Sequence, residues 1–234
     1  MVFNPNPTIQ SFETAVEFVE YLLYKDASAT TLIVCSTRDV FIHQLCASTA
    51  APTSGTQQHP DAFSQGDHEG NRSHFLSSPG LYKTIGAIAA SQRITLEFCP
   101  SLEHFRAYLS TFSSRRPGSS SKHADALRNQ SMPALAVLGL VALHYDTREF
   151  SAQGIAQSLA LTVEIAAREN VNLTLCESTV VGQEDSSGSR LWNVDVPLLS
   201  GQTRATGTGT GGESAHAGRT VKVKQVAKRW FDFV

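Results

Sequence analysis

One stretch decides what the rest of this chain can become. From residue 133 the sequence reads Pro-Ala-Leu-Ala-Val-Leu-Gly-Leu-Val-Ala-Leu, then a polar turn, a helical pattern over 152–169, and Val-Asn-Leu-Thr-Leu-Cys-Glu. The opening run is apolar at both phases of the two-residue strand period, so it must be covered on both faces and lie inside a sheet. In the next segment Ile155, Leu159 and Val163 recur four apart with Ala166 on the same stripe, the spacing of one helical face. Ser151 precedes that stripe, and its hydroxyl can accept an orphan N–H of the first turn. Strand, helix and second apolar strand make a parallel βαβ crossover, the unit of an α/β domain.

The flanking segments extend the same alternation. Residues 11–25 form an amphipathic pattern, with Phe12, Ala15, Val16, Val19, Leu22 and Leu23 on one stripe and Glu13, Glu17 and Glu20 facing away. Residues 30–35 are β-branched and read as a strand. Ser36-Thr37-Arg38-Asp39 reads as a capping box, with Ser36 as the cap, opening a helix through Phe41, Ile42 and Leu45. A helix over 81–91 leads to a strand over 94–98. Ser101 then caps a helix carrying Leu102, Phe105, Leu109 and Phe112. Residues 191–199 read as a strand. Residues 219–227 read as another, with Val221 and Val223 on one face and Lys222 and Lys224 on the other. These last two are expected to form an antiparallel hairpin at the sheet edge.

Three stretches of Ser, Thr, Gly, Pro, Gln and His interrupt the pattern. Residues 49–73 and 114–131 read as flexible insertions and 200–218 as a flexible hairpin loop, since they offer almost no apolar anchor. What remains suffices for one core, so residues 1–234 are expected to form a single three-layer α/β domain, mostly parallel, with a C-terminal antiparallel hairpin.

Composition narrows the function classes. A net charge of −2 excludes a uniformly basic nucleic-acid binder and leaves room for a local basic patch. The four cysteines, Cys35, Cys46, Cys99 and Cys176, form no Cys-x-x-Cys, and three lie in or beside apolar runs. They read as reduced, buried thiols of an intracellular protein. The first residues carry neither the basic nor the apolar region of a signal peptide. The longest apolar run is about ten residues, half of a membrane span. The Asn-x-Ser/Thr triplets at Asn71, Asn129 and Asn172 are accordingly expected to be chance matches.

The order of elements and several local strings resemble the RecA-like recombinase core and its paralogues. Residues 31–45, from Thr-Leu-Ile-Val-Cys-Ser-Thr-Arg-Asp to Gln-Leu, resemble the family's strand, turn and helix. Residues 94–109 resemble its next strand and short acidic, apolar helix. Residues 134–143 fall where the family has its Walker B strand, and 150–178 resemble the helix and strand that follow. Leu191-Trp192 and the final hairpin resemble its closing strands.

The catalytic parts of that family are missing. A Walker A loop needs Gly-x-x-x-x-Gly-Lys-Ser/Thr to surround phosphates with backbone N–H groups and a lysine. No Gly-Lys dipeptide occurs anywhere in the chain, and the first helix begins where the loop should already have ended. The aspartate that would close the 134–138 strand and hold Mg²⁺ is replaced by Gly139. Arg38 stands at the place of the family's catalytic glutamate. By resemblance the chain is a pseudo-ATPase with no cofactor, of the kind found in Shu-type recombination complexes. Such a subunit pairs with a second RecA-like subunit and promotes recombinase filaments on DNA, in the nucleus. The accessory RecA-like ring of Elongator, which supports tRNA wobble-uridine modification, is the second family reading, with a cytoplasmic location as the alternative.

Candidate sites follow from residue chemistry. Arg219, Lys222, Lys224, Lys228 and Arg229 make the densest basic cluster and are candidate DNA-phosphate contacts. The bland reading is that edge-strand lysines discourage strand-to-strand aggregation. Arg115 and Arg116, with Lys122 and Arg128, are a second DNA candidate or a solvated linker. Trp230, Phe231 and Phe233 either fold back onto the sheet or dock on a partner. Tyr145-Asp146-Thr147-Arg148 falls at the family's first DNA-facing loop or is a plain turn. His43 and Cys46 share a helix face without a second ligand pair, so no metal is expected. His59, His68 and His74 read as solvated. Cys35, at a strand end before a helix, is the nucleophile of a contrasting cysteine-hydrolase reading.

Overall fold

The computed structural model describes residues 6–50, 85–114, 131–198 and 219–234. Six strands form one sheet: β1 (Thr8–Gln10), β2 (Thr30–Val34), β3 (Ile94–Phe98), β4 (Ala134–Leu138), β5 (Asn172–Cys176) and, last in the chain, β8 (Asp232–Phe233). Their spatial order is β3-β2-β4-β5-β1-β8, and every neighbouring pair is parallel. β4 lies inside the sheet with all five residues buried, as its two-sided apolar run requires. The order differs from the Rossmann order 3-2-1-4-5-6 and the flavodoxin order 2-1-3-4-5.

Side-chain alternation splits the core into two layers. Leu135 and Val137 of β4 face α4 (Leu102–Thr111), α5 (Leu140–His144) and α6 (Ala152–Glu169). Ala136 and Leu138 face α1 (Ala15–Tyr24) and α2 (Arg38–Ala50). α3 (Ile85–Ser91) precedes β3. Ser151 caps α6 as expected, its Oγ accepting the Gly154 N–H at 3.1 Å. At the other end Asn170 enters the left-handed region at φ 54° and bonds back to Ala166 and Ala167, closing the helix.

Several expected boundaries are corrected. The first helix starts at Ala15 rather than near Ser11, because Thr14 caps it, and the preceding residues 8–10 are a strand. Phe18, absent from the expected stripe, is fully buried. Thr37, not Ser36, caps α2: its Oγ accepts the Val40 N–H at 3.3 Å, while the Ser36 hydroxyl donates to the Thr37 carbonyl. The helix runs on through Ala50.

The C-terminal hairpin is also revised. Residues 189–193 are a 3-10 turn that buries Leu191 and Trp192 together, which strand alternation would have split between two faces. β6 (Asp195–Pro197) then pairs antiparallel with β7 (Thr220–Lys222) as a separate two-stranded sheet, not as the edge of the main one. The second strand ends at Lys222 and α7 (Val223–Ala227) begins, because Val223, Val226 and Ala227 are spaced for a helical face. The edge position goes to β8, whose Asp232 and Val234 N–H groups bond the Pro7 and Ile9 carbonyls at 3.0 Å. Apart from Thr49 and Ala50, which end α2, and Ser114 and Ser131 at their rims, the expected insertions and loop lie outside the described residues.

Candidate functional site

The carboxyl ends of the parallel strands line up. Val34, Phe98, Leu138, Cys176 and Gln10 are register partners in one row, so Cys35, Cys99, Gly139, Glu177 and Ser11 form the sheet's upper rim. Ligands of open α/β sheets bind beyond such a rim where neighbouring strands diverge in their connections. Here β2 connects outward to β3 while β4 connects the other way to β5, so the divergence lies between β2 and β4.

At that point the space is small. A cavity of about 40 Å³ is lined by Cys35, Ser36, Gln44, Gly139 and Ser178, among others. That holds a water-sized molecule, against the roughly 300 Å³ or more of a small-molecule site. Gly139, where the resemblance would place an aspartate, has φ 81°, a left-handed conformation that an L side chain adopts only with strain. Arg38 is exposed at the start of α2.

The connection from β1 to α1, where the resemblance would place a phosphate loop, is short and capped from within the chain. Only residues 11–14 separate strand from helix, with no glycine among them. The Thr14 Oγ accepts the Glu17 N–H at 3.2 Å. The Glu17 carboxylate in turn accepts the N–H of Glu13 at 3.0 Å and of Thr14 at 3.2 Å. A side-chain anion thus takes two backbone donors immediately ahead of the first helical residue. The Glu13 carbonyl accepts the Thr179 N–H at 2.8 Å, tying the connection to the segment beyond β5.

A second internal carboxyl group caps the neighbouring helix start. Glu177, fully buried, accepts the Val141 N–H at 2.6 Å and the Ala142 N–H at 3.2 Å. Burial pushes its pKa up to about 8 against the pull of those donors. It also helps burial raise the Cys35 thiol well above its ordinary range, with Cys99 adding to the effect. A nucleophilic cysteine needs the opposite shift. Burial likewise pushes Cys99 up to about 11 and Cys176 to about 12.

The basic cluster is rearranged relative to its expected form. Lys222 ends β7, donates to the Asn193 carbonyl at 3.1 Å and lies 3.8 Å from the Asp195 carboxylate. Lys224 belongs to α7 and sits 4.8 Å over the Phe233 ring. The two lysines therefore share no strand face. Lys224 and exposed Lys228 are instead one helical turn apart, joined by the Lys228 N–H to Lys224 carbonyl bond at 3.0 Å. Arg229 lies 5.2 Å over Trp230, and Arg219 is exposed. Arg115, Arg116, Lys122 and Arg128 lie outside the described residues, as do His59, His68 and His74.

The aromatic residues fold back. Phe231 is buried in the main core, so it is corrected from a partner anchor to a core residue. Phe233 meets Trp192 edge-to-face at 5.3 Å, and both it and Trp230 stay half-buried. Tyr145 to Arg148 form a tight turn, with Asp146 at φ 60° and Tyr145 packed on Phe150. Among the described residues no group of three or more His, Cys, Asp or Glu could hold a metal ion, and no helix is long and apolar enough to cross a membrane.

Glu17 and Glu177 are the site residues that sequence reasoning missed. Thr14-x-x-Glu17 is a legible capping-box signature, whereas nothing local marks Glu177. Compared with models of known protein families the chain matches none, and no curated protein matches it in sequence.

Proposed function

We propose that this chain is a non-catalytic, RecA-like subunit of a heteromeric complex that supports recombinational DNA repair, acting through contacts with a related subunit and DNA. The observation that carries the reading is the self-capped start of α1. The Glu17 carboxylate holds the donors of Glu13 and Thr14, where a motor of this kind would hold phosphate. The strand order, distinct from Rossmann and flavodoxin orders, and the left-handed Gly139 in place of a metal-binding aspartate support the same reading. Function then rests on surfaces, among them the Lys224–Lys228 face of α7.

Tagged protein recovered from native extract tests this, with bound chains identified from their peptides. RecA-like paralogues and a recombinase are the expected partners. Recovery of tRNA-modification subunits instead overturns the repair assignment in favour of an Elongator accessory role.

A further inference from the structure

A groove of about 290 Å³ opens between the first turns of α6 and the unit formed by β6, β7 and α7. Its walls are chiefly Ala156, Leu198, Val221, Val226 and Trp230, with Arg229 at the rim. Ala152 and Ala156, one helical turn apart on α6, leave the space that larger side chains would fill. The volume, at the lower end of small-molecule sites, accommodates one large apolar side chain.

Basic side chains outnumber acidic ones on and beside this unit, where Asp195 and Asp232 are also exposed. Arg229 lines the groove, Arg219 and Lys228 are exposed on the same unit, and no Asp or Glu is among the described lining residues. Asp195 is engaged by Lys222. The loop that joins the two walls of the groove is a poor candidate to fill it. Of the residues joining Leu198 to Arg219, only Leu199, beside the wall itself, is large and apolar; the remainder are Ser, Gly, Gln, Thr, Arg, Ala, Glu and His. A nucleic-acid base is disfavoured too, because Arg229 already covers the Trp230 ring at 5.2 Å and the aliphatic walls offer no second stacking face.

We infer that this groove seats one aromatic or leucine side chain of a partner polypeptide whose flanking residues are acidic. The apolar walls hold the anchor, and the cationic rim selects its acidic neighbours and steers the encounter. This goes beyond the repair-subunit reading and stands whether or not the sheet is a RecA-like core.

A random dodecapeptide library selected on the immobilised full chain tests it. Enriched sequences should share a Phe, Trp or Leu flanked by Asp or Glu. Their affinity should fall roughly tenfold or more with Ala156→Phe, which plugs the groove, and with Arg229→Glu, which reverses its rim. Arg229→Glu changes an exposed side chain, so it remains informative if Ala156→Phe fails to fold. Enrichment of acidic sequences without an apolar anchor, equal binding by both variants, displacement of the peptide by a thymidine oligonucleotide, or no enrichment at all each overturns the inference.

Discussion

Thr14 and Glu17 cap one another at the start of α1: the Thr14 hydroxyl takes the Glu17 N–H, and the Glu17 carboxylate returns to the Thr14 N–H, both at 3.2 Å. The same carboxylate oxygen also takes the Glu13 N–H. In a phosphate-binding sheet the N–H groups at a helix start point at the ligand. Here the two N–H groups just ahead of the first helical residue are satisfied within the chain, and the connection is short.

Thr14→Ala and Glu17→Ala should each lower stability by about 1 kcal/mol, the usual scale for an N-cap. Their effects should not add, because either change dismantles the reciprocal pair. Urea unfolding of both single variants and the double variant reads this directly; full additivity would mean the two residues act independently.

Glu177 should make stability fall with rising pH between 4.5 and about 8. Its folded pKa of about 8 lies above the ordinary 4.5, so the folded state holds a proton that the unfolded state releases in that window. Its contribution is complete below 4.5 and lost as pH rises through 8. His144, buried against the Ser158 hydroxyl with its pKa pushed down from 6.5 to about 4, contributes the opposite slope between those values. The decline is therefore read cleanly between 6.5 and 8. Glu177→Gln should flatten it, as measured by denaturant midpoints across pH.

Gly154 has no room for a side chain. A Cβ there would lie 2.2 Å from the Glu149 carbonyl oxygen, in the loop that Arg106 clamps through its bonds to the Glu149 carboxylate. Gly154→Ala should cost about 2–3 kcal/mol despite alanine's helix propensity, because backbone must move. Unchanged stability in urea would mean the loop yields freely.

The Lys224–Lys228 face gives the DNA test. Lys224→Glu with Lys228→Glu should weaken DNA binding by the assembled complex and reduce the slope of log K against log salt by about 2, near 0.9 per lost phosphate contact. An unchanged slope removes these residues from the interface. Lys222→Glu should matter less, since Lys222 already faces Asp195.

How much of this was legible follows from how local each signal is. The β4–α6–β5 unit could be read outright, because Ala134–Leu138 is apolar on both faces and Ser151 caps where a serine should. β1 and β8 could not. They have three and two residues, and Ile9 becomes a strand only by pairing with Leu175 and Phe233 far away in the chain. Residues 219–227 fit two periods at once, and the burial of Val223 and Ala227 decides for helix after Lys222. Glu17 was readable as a cap had the helix been started at Ala15. Glu177 was not, since its partners Val141 and Ala142 are 36 and 35 residues distant.

Equilibrium binding of Mg·ATP to the purified full chain tests the central claim most directly. With the Glu13 and Thr14 donors held by Glu17 and glycine at position 139, no saturable binding is expected up to about 1 mM, the upper end of ordinary substrate affinities. Saturable binding below that concentration, or turnover of ATP with magnesium, would contradict it.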